Sequence, residues 1–254
     1  MDDPREGKRL EKKVNAGEFV DRFLSQHLTN LSNGRILEAG CGPGVFLRVI
    51  GDQYKINSIT GIDISEDRIN QANERLAGLK NARAMCADIY ELPYPDNYFD
   101  FIYSRFLFEY LANPIAAAKE LHRVCKPGGR LLIQDLDSQF TFYPELSPRL
   151  KDMLGILKKR TGFDPDIGRK LFSIGRCAGF SFVNNDTEMY HKVFGTIDDF
   201  NYDLWKLKLD IAFTNWELMA GERAEELKAE ILEALQNESS VMFSILFTTT
   251  FEKS

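Results

Sequence analysis

Cysteine and histidine are scarce in this 254-residue chain, four and three respectively. The cysteines, Cys41, Cys86, Cys125 and Cys177, lie far apart and form no C-x-x-C pair. That spacing argues against a zinc knuckle or a redox dithiol and reads as small buried thiols in a reducing compartment. No metal site is expected. No apolar run approaches the roughly 20 residues that span a bilayer. The opening MDDPREGKRLEKKV is charged throughout and lacks an apolar signal core. A cytoplasmic protein without a membrane span is the expectation. Internal repeats and low-complexity tracts are missing too. Bases are outnumbered by acids, 32 to 38, for a formal net charge of -6. That balance argues against a nucleic-acid partner, because phosphate binding wants a basic face.

What is present is globular: 44% hydrophobic and 28% charged residues, an ordinary composition with enough length for one substantial core. The first half alternates short apolar runs with amphipathic stretches, which predicts a parallel α/β sheet. RILEA (35–39), SITGIDI (58–64), ARAMCAD (82–88), FDFIYSR (99–105) and RLLIQDL (130–136) read as five successive strands. Helix-like segments separate them, one N-capped by Ser65 and one opened by Pro114. Beyond residue 136 the rhythm changes. Residues 137–166 read as a long connection, followed by a helix and the strand FSFVNNDTEMYHKV. A largely helical stretch comes next, and VMFSILFTTTFEK, rich in β-branched and aromatic residues, closes the chain as a strand. Long insertions in compact domains are often lids or binding loops.

The segment ILEAGCGPGVF (36–46) packs Gly40, Gly42 and Gly44 into five residues directly after the first strand. A strand entering a glycine turn that opens a helix lets backbone N–H groups meet a ligand closely, and the helix N-terminus favours negative charge there. The dinucleotide pattern G-x-G-x-x-G is not met, since its third glycine would fall on Val45, and no Gly-Lys-Ser/Thr follows. Two aspartates then sit at the ends of later strands. Asp63 lies about twenty residues past the turn, where an acid can accept both ribose hydroxyls of an adenosine. Asp88 is placed to accept from an adenine amine, with Ile64 and Ile89 sandwiching the ring. Each aspartate alone also reads as a plain turn residue. Three strand ends carrying suitable groups in order point to an adenosyl ligand.

On these motifs the chain resembles a class I S-adenosylmethionine-dependent methyltransferase. ILEAGCGPG matches the family's first motif, with Glu38 where aspartate is commoner, and GIDIS matches its acidic loop. ADIYELPYPDNYFDFIYSRFLFEYL and ELHRVCKPGGRLLI match the second and third. The ensemble is similar to the ubiquinone/menaquinone-type branch of small-molecule enzymes. DIGRKLFSIGRCAGF resembles the helix and turn before that branch's sixth strand, and REGKRLEKKV its leader helix. The resemblance implies a Rossmann-like, seven-stranded, mostly parallel sheet with the last strand antiparallel, helices on both faces and a helical cap insertion. One domain over 1–254 follows, with a leader (1–34), a cofactor-binding core (35–136) and insertions (137–166 and 192–240) covering the acceptor site. It further implies that Gly40, Cys41 and Gly42 line the methionine and ribose through their backbone, and that Glu38 reaches the amino group through water. Asp63 would hold the ribose, Asp88 the adenine amine, and Ser104 or Arg105 would flank the methionine tail. Side chains at 40, 42 or 44 would collide with the cofactor or forbid the turn.

Methyl transfer requires an acceptor lone pair about 3 Å from the methyl carbon, opposite the departing sulfur and away from water. The acceptor side is expected to draw on Phe106 and Tyr110 after the fourth strand and on Phe140, Phe142 and Tyr143 after the fifth. Trp205, Phe213 and Trp216 lie in the helical excursion, which is expected to cap the site or to act as a packing or dimerisation appendage. A base helps only a phenol, an ammonium or an acidic carbon. Asp135, Asp137 and His191 are the candidates, each with a bland alternative as turn acid or packing residue; His27 and His122 read as packing or surface residues. The N/D-P-P-Y/F signature of nucleobase and glutamine methyltransferases is missing after the fourth strand, which reads YSRFLFEY. The leading expectation is therefore a small-molecule acceptor (quinone-like, polyketide or another metabolite) and a monomer or homodimer. The alternatives are an RNA or protein methyltransferase and a non-catalytic adenosyl-binding regulator or scaffold.

Overall fold

The computed structural model describes residues 16–29, 31, 33–161, 163–220 and 223–254; the segment expected as a leader helix, residues 5–14, lies outside the described residues. The strands are β1 (Arg35–Ala39), β2 (Ser58–Asp63), β3 (Ala82–Cys86), β4 (Phe99–Arg105), β5 (Cys125–Tyr143), β6 (Ser181–Phe194) and β7 (Val241–Glu252). They form one sheet in the order β3-β2-β1-β4-β5-β7-β6. Neighbours from β3 through β5 pair in parallel, while β7 is antiparallel to both β5 and β6. This is the expected α/β sheet with its last strand reversed.

Helix α1 runs through Ala16–Phe19 and Ser25–Leu28 with a π-helical turn, Val20–Leu24, between them. It is followed by α2 (Val45–Gln53), α3 (Glu66–Arg75), α4 (Pro114–Val124), α5 (Pro148–Thr161), α6 (Leu171–Cys177), α7 (Asp199–Ala220) and α8 (Arg223–Leu235). Successive strand residues point to opposite faces, so adjacent apolar residues serve separate cores. Ile36, Phe101 and Leu132 pack with Leu24, Leu47 and Ala72 of α1 to α3. Their neighbours Leu37, Ile102 and Leu131 pack with Ala117 and Leu121 of α4 and Ile174 of α6. Burial on both faces explains why these strands read as nearly continuous apolar runs. Each such side chain removed from water contributes about 1.5–3 kcal/mol.

A third core stands apart. Phe142, Trp205, Leu209, Leu227, Ile231, Leu235 and Met242 bury one another between the distal ends of β5 and β7 and the helices α7 and α8. Here the structure corrects the expected connection over 137–166. β5 does not end at Leu136 but bulges after Asp137 and resumes, with Thr141, Phe142 and Tyr143 paired to Phe243, Met242 and Val241. The long β7 supplies the partners, and Pro144, lacking an N–H, ends the ladder. The excursion between β6 and β7 likewise begins after Phe194 rather than at residue 192. The cysteines divide, with Cys41 and Cys125 buried but Cys86 and Cys177 exposed. The exposed pair lies on the edge strand β3 and in the last turn of α6. Among the described residues no helix is long and apolar enough to cross a membrane.

The turn from β1 into α2 is a close junction. Gly44 caps α2 with φ +73°, and a Cβ there would lie 2.9 Å from the Cβ of Ala72 on α3. Gly78, with φ +89°, has nothing within 4 Å of such a Cβ. Gly78→Ala is therefore expected to lose only the left-handed cost of about 1–2 kcal/mol. Gly44→Ala should lose at least about 1 kcal/mol more, because an overpacked junction must shift. Urea unfolding of the two variants measures the difference, and equal losses would show that α3 gives way without cost.

Candidate active site

The carboxyl ends of β1 to β4 open onto a cavity of about 470 Å³, where open parallel sheets place their ligands. The turn after β1 is fastened to its neighbour strand: Gly40 and Cys41 donate their N–H groups to the Ile62 carbonyl at 2.9 and 2.8 Å. Gly42 donates to Asp63 Oδ2 at 2.9 Å, and Ser65 donates to Asp63 Oδ1 at 3.0 Å. Gly40, Gly42 and Gly44 all have positive φ, at +75°, +50° and +73°, which only glycine adopts freely. Their surroundings differ. A Cβ on Gly40 would meet Leu107 at 3.0 Å and one on Gly44 would meet Ala72, whereas one on Gly42 has nothing within 4 Å. Gly42 borders the cavity, so its missing side chain leaves ligand space. The collisions expected at positions 40 and 44 are with the protein itself.

Across the same rim, Ile64 is 74% exposed although it is a large aliphatic side chain, while Ile89 is buried. Both line the cavity beside Asp88, whose Oδ1 accepts the Tyr90 N–H at 2.9 Å. Asp88 stands two residues past β3 rather than at its end. An apolar plate left in water next to two oriented carboxylates fits a flat, amine-bearing ring joined to a diol, as in an adenosyl group.

Deeper, Glu38 on β1 is buried and accepts a 2.8 Å hydrogen bond from the Tyr103 hydroxyl. Burial, opposed by that bond and reinforced by Asp63, pushes its pKa up to about 8. Arg105, the last residue of β4, donates from Nε to Gln134 Oε1 at 2.7 Å and is hydrogen-bonded to Tyr190. Its guanidinium lies 4.0 Å from the Phe106 ring centroid and 4.9 Å from that of Phe19. Burial lowers its pKa, and the Tyr190 hydroxyl opposes that shift. Phe106 itself holds φ +55°, a costly conformation for an aromatic residue, and so turns the chain sharply over the strand ends.

The structure brings Glu38, Gly40, Cys41, Gly42, Asp63, Ile64, Asp88, Ile89, Arg105, Phe106 and Tyr110 around this one space. It leaves the other expected residues outside the lining. Gly44 is closed off by Ala72, and Ser104, inside β4 rather than past it, is fully buried with its hydroxyl unpartnered. Asp135 is fully buried and accepts the N–H groups of Leu136 and Glu109. Burial, then the neighbouring Glu109, raise its pKa well above the ordinary carboxylate range. Asp137 is clasped by Arg169, whose Nε lies 2.9 Å from Oδ1. Although burial pushes its carboxyl upward, the bonds from Arg169 and Ser138 hold it below the usual range. His191 Nδ1 lies 2.7 Å from Ser244 Oγ, and the ring packs against Trp205 in a separate hollow. Phe142 and Trp205 belong to the third core, and Tyr143 is 71% exposed. The side chains of Phe213 and Trp216 lie outside the described residues.

Glu109, Tyr190 and Lys208 line the cavity without having been singled out from the sequence. Glu109 follows β4 in a short 3-10 turn, Phe108–Tyr110, Tyr190 comes from β6 and Lys208 from α7. The FEY triplet lay within the quoted motif, but no spacing marks its carboxylate. No group of three or more His, Cys, Asp or Glu side chains able to hold a metal ion occurs among the described residues.

Comparison with known proteins gives the same picture over the same segment. A family model described as a methyltransferase domain matches residues 37–133. A malonyl-[acyl-carrier protein] O-methyltransferase of Halorhodospira halophila is 27% identical over 135 residues, covering 53% of this chain and 44% of that protein. The chain thus spans less than half the length of the leading curated relatives it matches. A solved structure of a putative sarcosine dimethylglycine methyltransferase from Galdieria sulphuraria superposes with a TM-score of 0.63 at 19% identity, covering 96% of this chain and 86% of that one. Geranyl diphosphate methyltransferase in complex with SAM superposes at 0.61 and 12% identity, covering 100% and 92%. These two likenesses show the fold. With the family model lying over the very turns that build the strand-end cradle, residues 37–133 of the chain are a methyltransferase domain.

Proposed function

We propose that the chain transfers a methyl group from S-adenosylmethionine to a small-molecule acceptor, releasing S-adenosylhomocysteine. The observation that carries this reading is the bare Gly42 beside the oriented carboxylate of Asp63, opening into a cavity that continues past the nucleoside end to Phe106, Tyr110, Tyr190 and Lys208. Gly40, Cys41 and Gly42 would line the ribose and methionine through backbone, Asp63 would accept from the ribose hydroxyls, and Asp88 from the adenine amine between Ile64 and Ile89. Glu38 and Arg105 would flank the amino-acid end. The cofactor, when bound, supplies a methyl already activated on a sulfonium. The protein's part is to align an acceptor and exclude water. Lys208 reaches the cavity from α7, which supports a covering role for the excursion between β6 and β7.

The names of the relatives, a malonyl-[acyl-carrier protein] and a geranyl diphosphate methyltransferase among them, span several acceptors, so the acceptor is left to experiment. The acidic net charge of -6 weighs against an RNA acceptor. Space beyond the nucleoside end weighs against a purely cofactor-binding regulator. Incubation with methyl-labelled cofactor and a metabolite extract, followed by identification of the labelled product, tests the reading; labelled protein or RNA instead of a small molecule would overturn it.

Asp63→Asn removes the charge that faces the ribose while keeping the side chain's shape. Titration calorimetry is expected to show S-adenosylhomocysteine affinity reduced at least about 10-fold, the loss of a charged hydrogen bond. Unchanged affinity would move the ribose elsewhere.

Glu38 gives a pH signature. With a folded pKa of about 8, raised above its unfolded value, Glu38 stays largely protonated at pH 7. The stability this confers is complete at acid pH and is lost as pH rises toward 8. An ammonium placed against it would drive the proton off. Binding of S-adenosylhomocysteine at pH 7 is therefore expected to release about one proton, read from calorimetry in buffers of different ionisation enthalpy. Glu38→Gln should abolish the release, and its persistence in that variant would assign the proton to another group.

A further inference from the structure

Beyond the nucleoside end, the cavity contains one carboxylate that the cofactor roles above do not use. Glu109 is 4% exposed yet lines the cavity. Its position is fixed from several sides. Its backbone N–H donates to Asp135 Oδ2 at 3.2 Å, its carbonyl accepts the Asp164 N–H at 2.7 Å, and its carboxylate accepts from Gln139 Nε2. Asp135, wholly buried behind it, also accepts the Leu136 N–H at 2.9 Å. A polar network of this kind is costly unless fully satisfied, and it holds one acid at the edge of an otherwise aromatic space. Phe106 and Tyr190 meet there edge to face with centroids 5.4 Å apart, and Tyr110 packs on Phe163 at 5.5 Å.

The charges around Glu109 restrict what it can serve. Arg68, Arg105 and Lys208 line the same cavity, and Arg68 lies 4.0 Å from Asp63 at the nucleoside end. With Arg105 at the cofactor's amino-acid end, Lys208 on the acceptor side disfavours an ammonium acceptor and favours a hydroxyl oxygen that carries negative charge once its proton departs. The aromatic walls fit a flat ring.

Resting on the methyltransferase reading, we infer that Glu109 is the general base and that the acceptor is an aromatic hydroxyl. The hydroxyl oxygen forms the bond to the methyl carbon as the carbon–sulfur bond breaks and leaves its electron pair on sulfur. The hydroxyl proton passes to the Glu109 carboxylate. Asp135 serves as a positioning residue, holding the turn that carries Glu109.

The test uses the full chain with methyl-labelled cofactor and two probes at pH 8: unactivated 2-naphthol and 4-nitrophenol, which is largely ionised by itself. Glu109→Gln is expected to lower transfer to 2-naphthol about 100-fold, with a much smaller loss for 4-nitrophenol. S-adenosylhomocysteine affinity should be unchanged, and Glu109→Asp should restore part of the rate. Equal losses for both probes would make Glu109 merely structural. Unchanged rates, or a cofactor-binding wild type that methylates neither phenol, would overturn the inference. Failure of the wild type to bind S-adenosylhomocysteine would overturn the methyltransferase reading beneath it.

Discussion

Asp63 receives one backbone N–H from the glycine turn and one from the start of α3, Gly42 at 2.9 Å and Ser65 at 3.0 Å. That single carboxylate joins two βα junctions whose strands are already paired, Ala39 opposite Ile62. The joining has two consequences. The turn keeps its left-handed glycines without help from a ligand, and the carboxylate is held at the edge of the cavity. Ligand binding then spends little on ordering the loop, which is the usual source of affinity in a preorganised site. Removing the charge would loosen the turn itself, since both backbone donors lose their anionic acceptor.

The acids near the sheet's carboxyl edge are sorted by what surrounds them rather than by type. Glu38, given only a tyrosine hydroxyl, stays neutral near pH 7. Asp135, given backbone donors and the neighbouring Glu109 carboxylate, is likewise pushed toward its neutral form, chiefly by burial. Asp137, two residues on, has Arg169 wrapped over it and remains charged. Desolvation favours the neutral form and an adjacent guanidinium the ionised one. A neutral Glu38 also forms no ion pair with Arg105, whose guanidinium is held instead by Gln134 and Tyr190.

The cofactor half of the site was legible because its signals are local. A buried strand, a glycine turn and an acid at the next strand's end recur at spacings fixed by the βα unit, and positions 36 to 105 carry them without interruption. The acceptor half obeys alternation and register, which a sequence cannot phase. Leu136 lines the cavity, so its neighbours Asp135 and Asp137 point away from it. Tyr190 faces the cavity while His191 turns to Ser244, and the irregularity between Met189 and Lys192 in the ladder with β7 sets which of the two does so. On α7, Trp205 enters the third core and Lys208, three residues on, stacks 4.8 Å over its ring and reaches the cavity. Phe142 and Trp205 bury each other in that core rather than facing the cavity, because large apolar groups gain most by burial.

That third core bears on how such a site can change. Its members come from the end of β5, from α5, α7 and α8, and from the start of β7. They pack without using the residues that line the cavity. Stability of the covering helices and the chemistry of the surface they present are thereby carried by different side chains. A substitution at Tyr190 alters the walls of the cavity without removing a member of the packed cluster, where truncating a large residue typically costs about 2–5 kcal/mol, whereas one at Lys208 also strips the cation from the Trp205 ring. The glycine turn has no such freedom, since Gly44 is closed by Ala72 and Gly40 by Leu107. The strand-end turn is therefore built from backbone that tolerates little, and the far wall of the cavity from side chains on elements that carry a core of their own. The same division makes the first readable from spacing and leaves the second to be found in the fold.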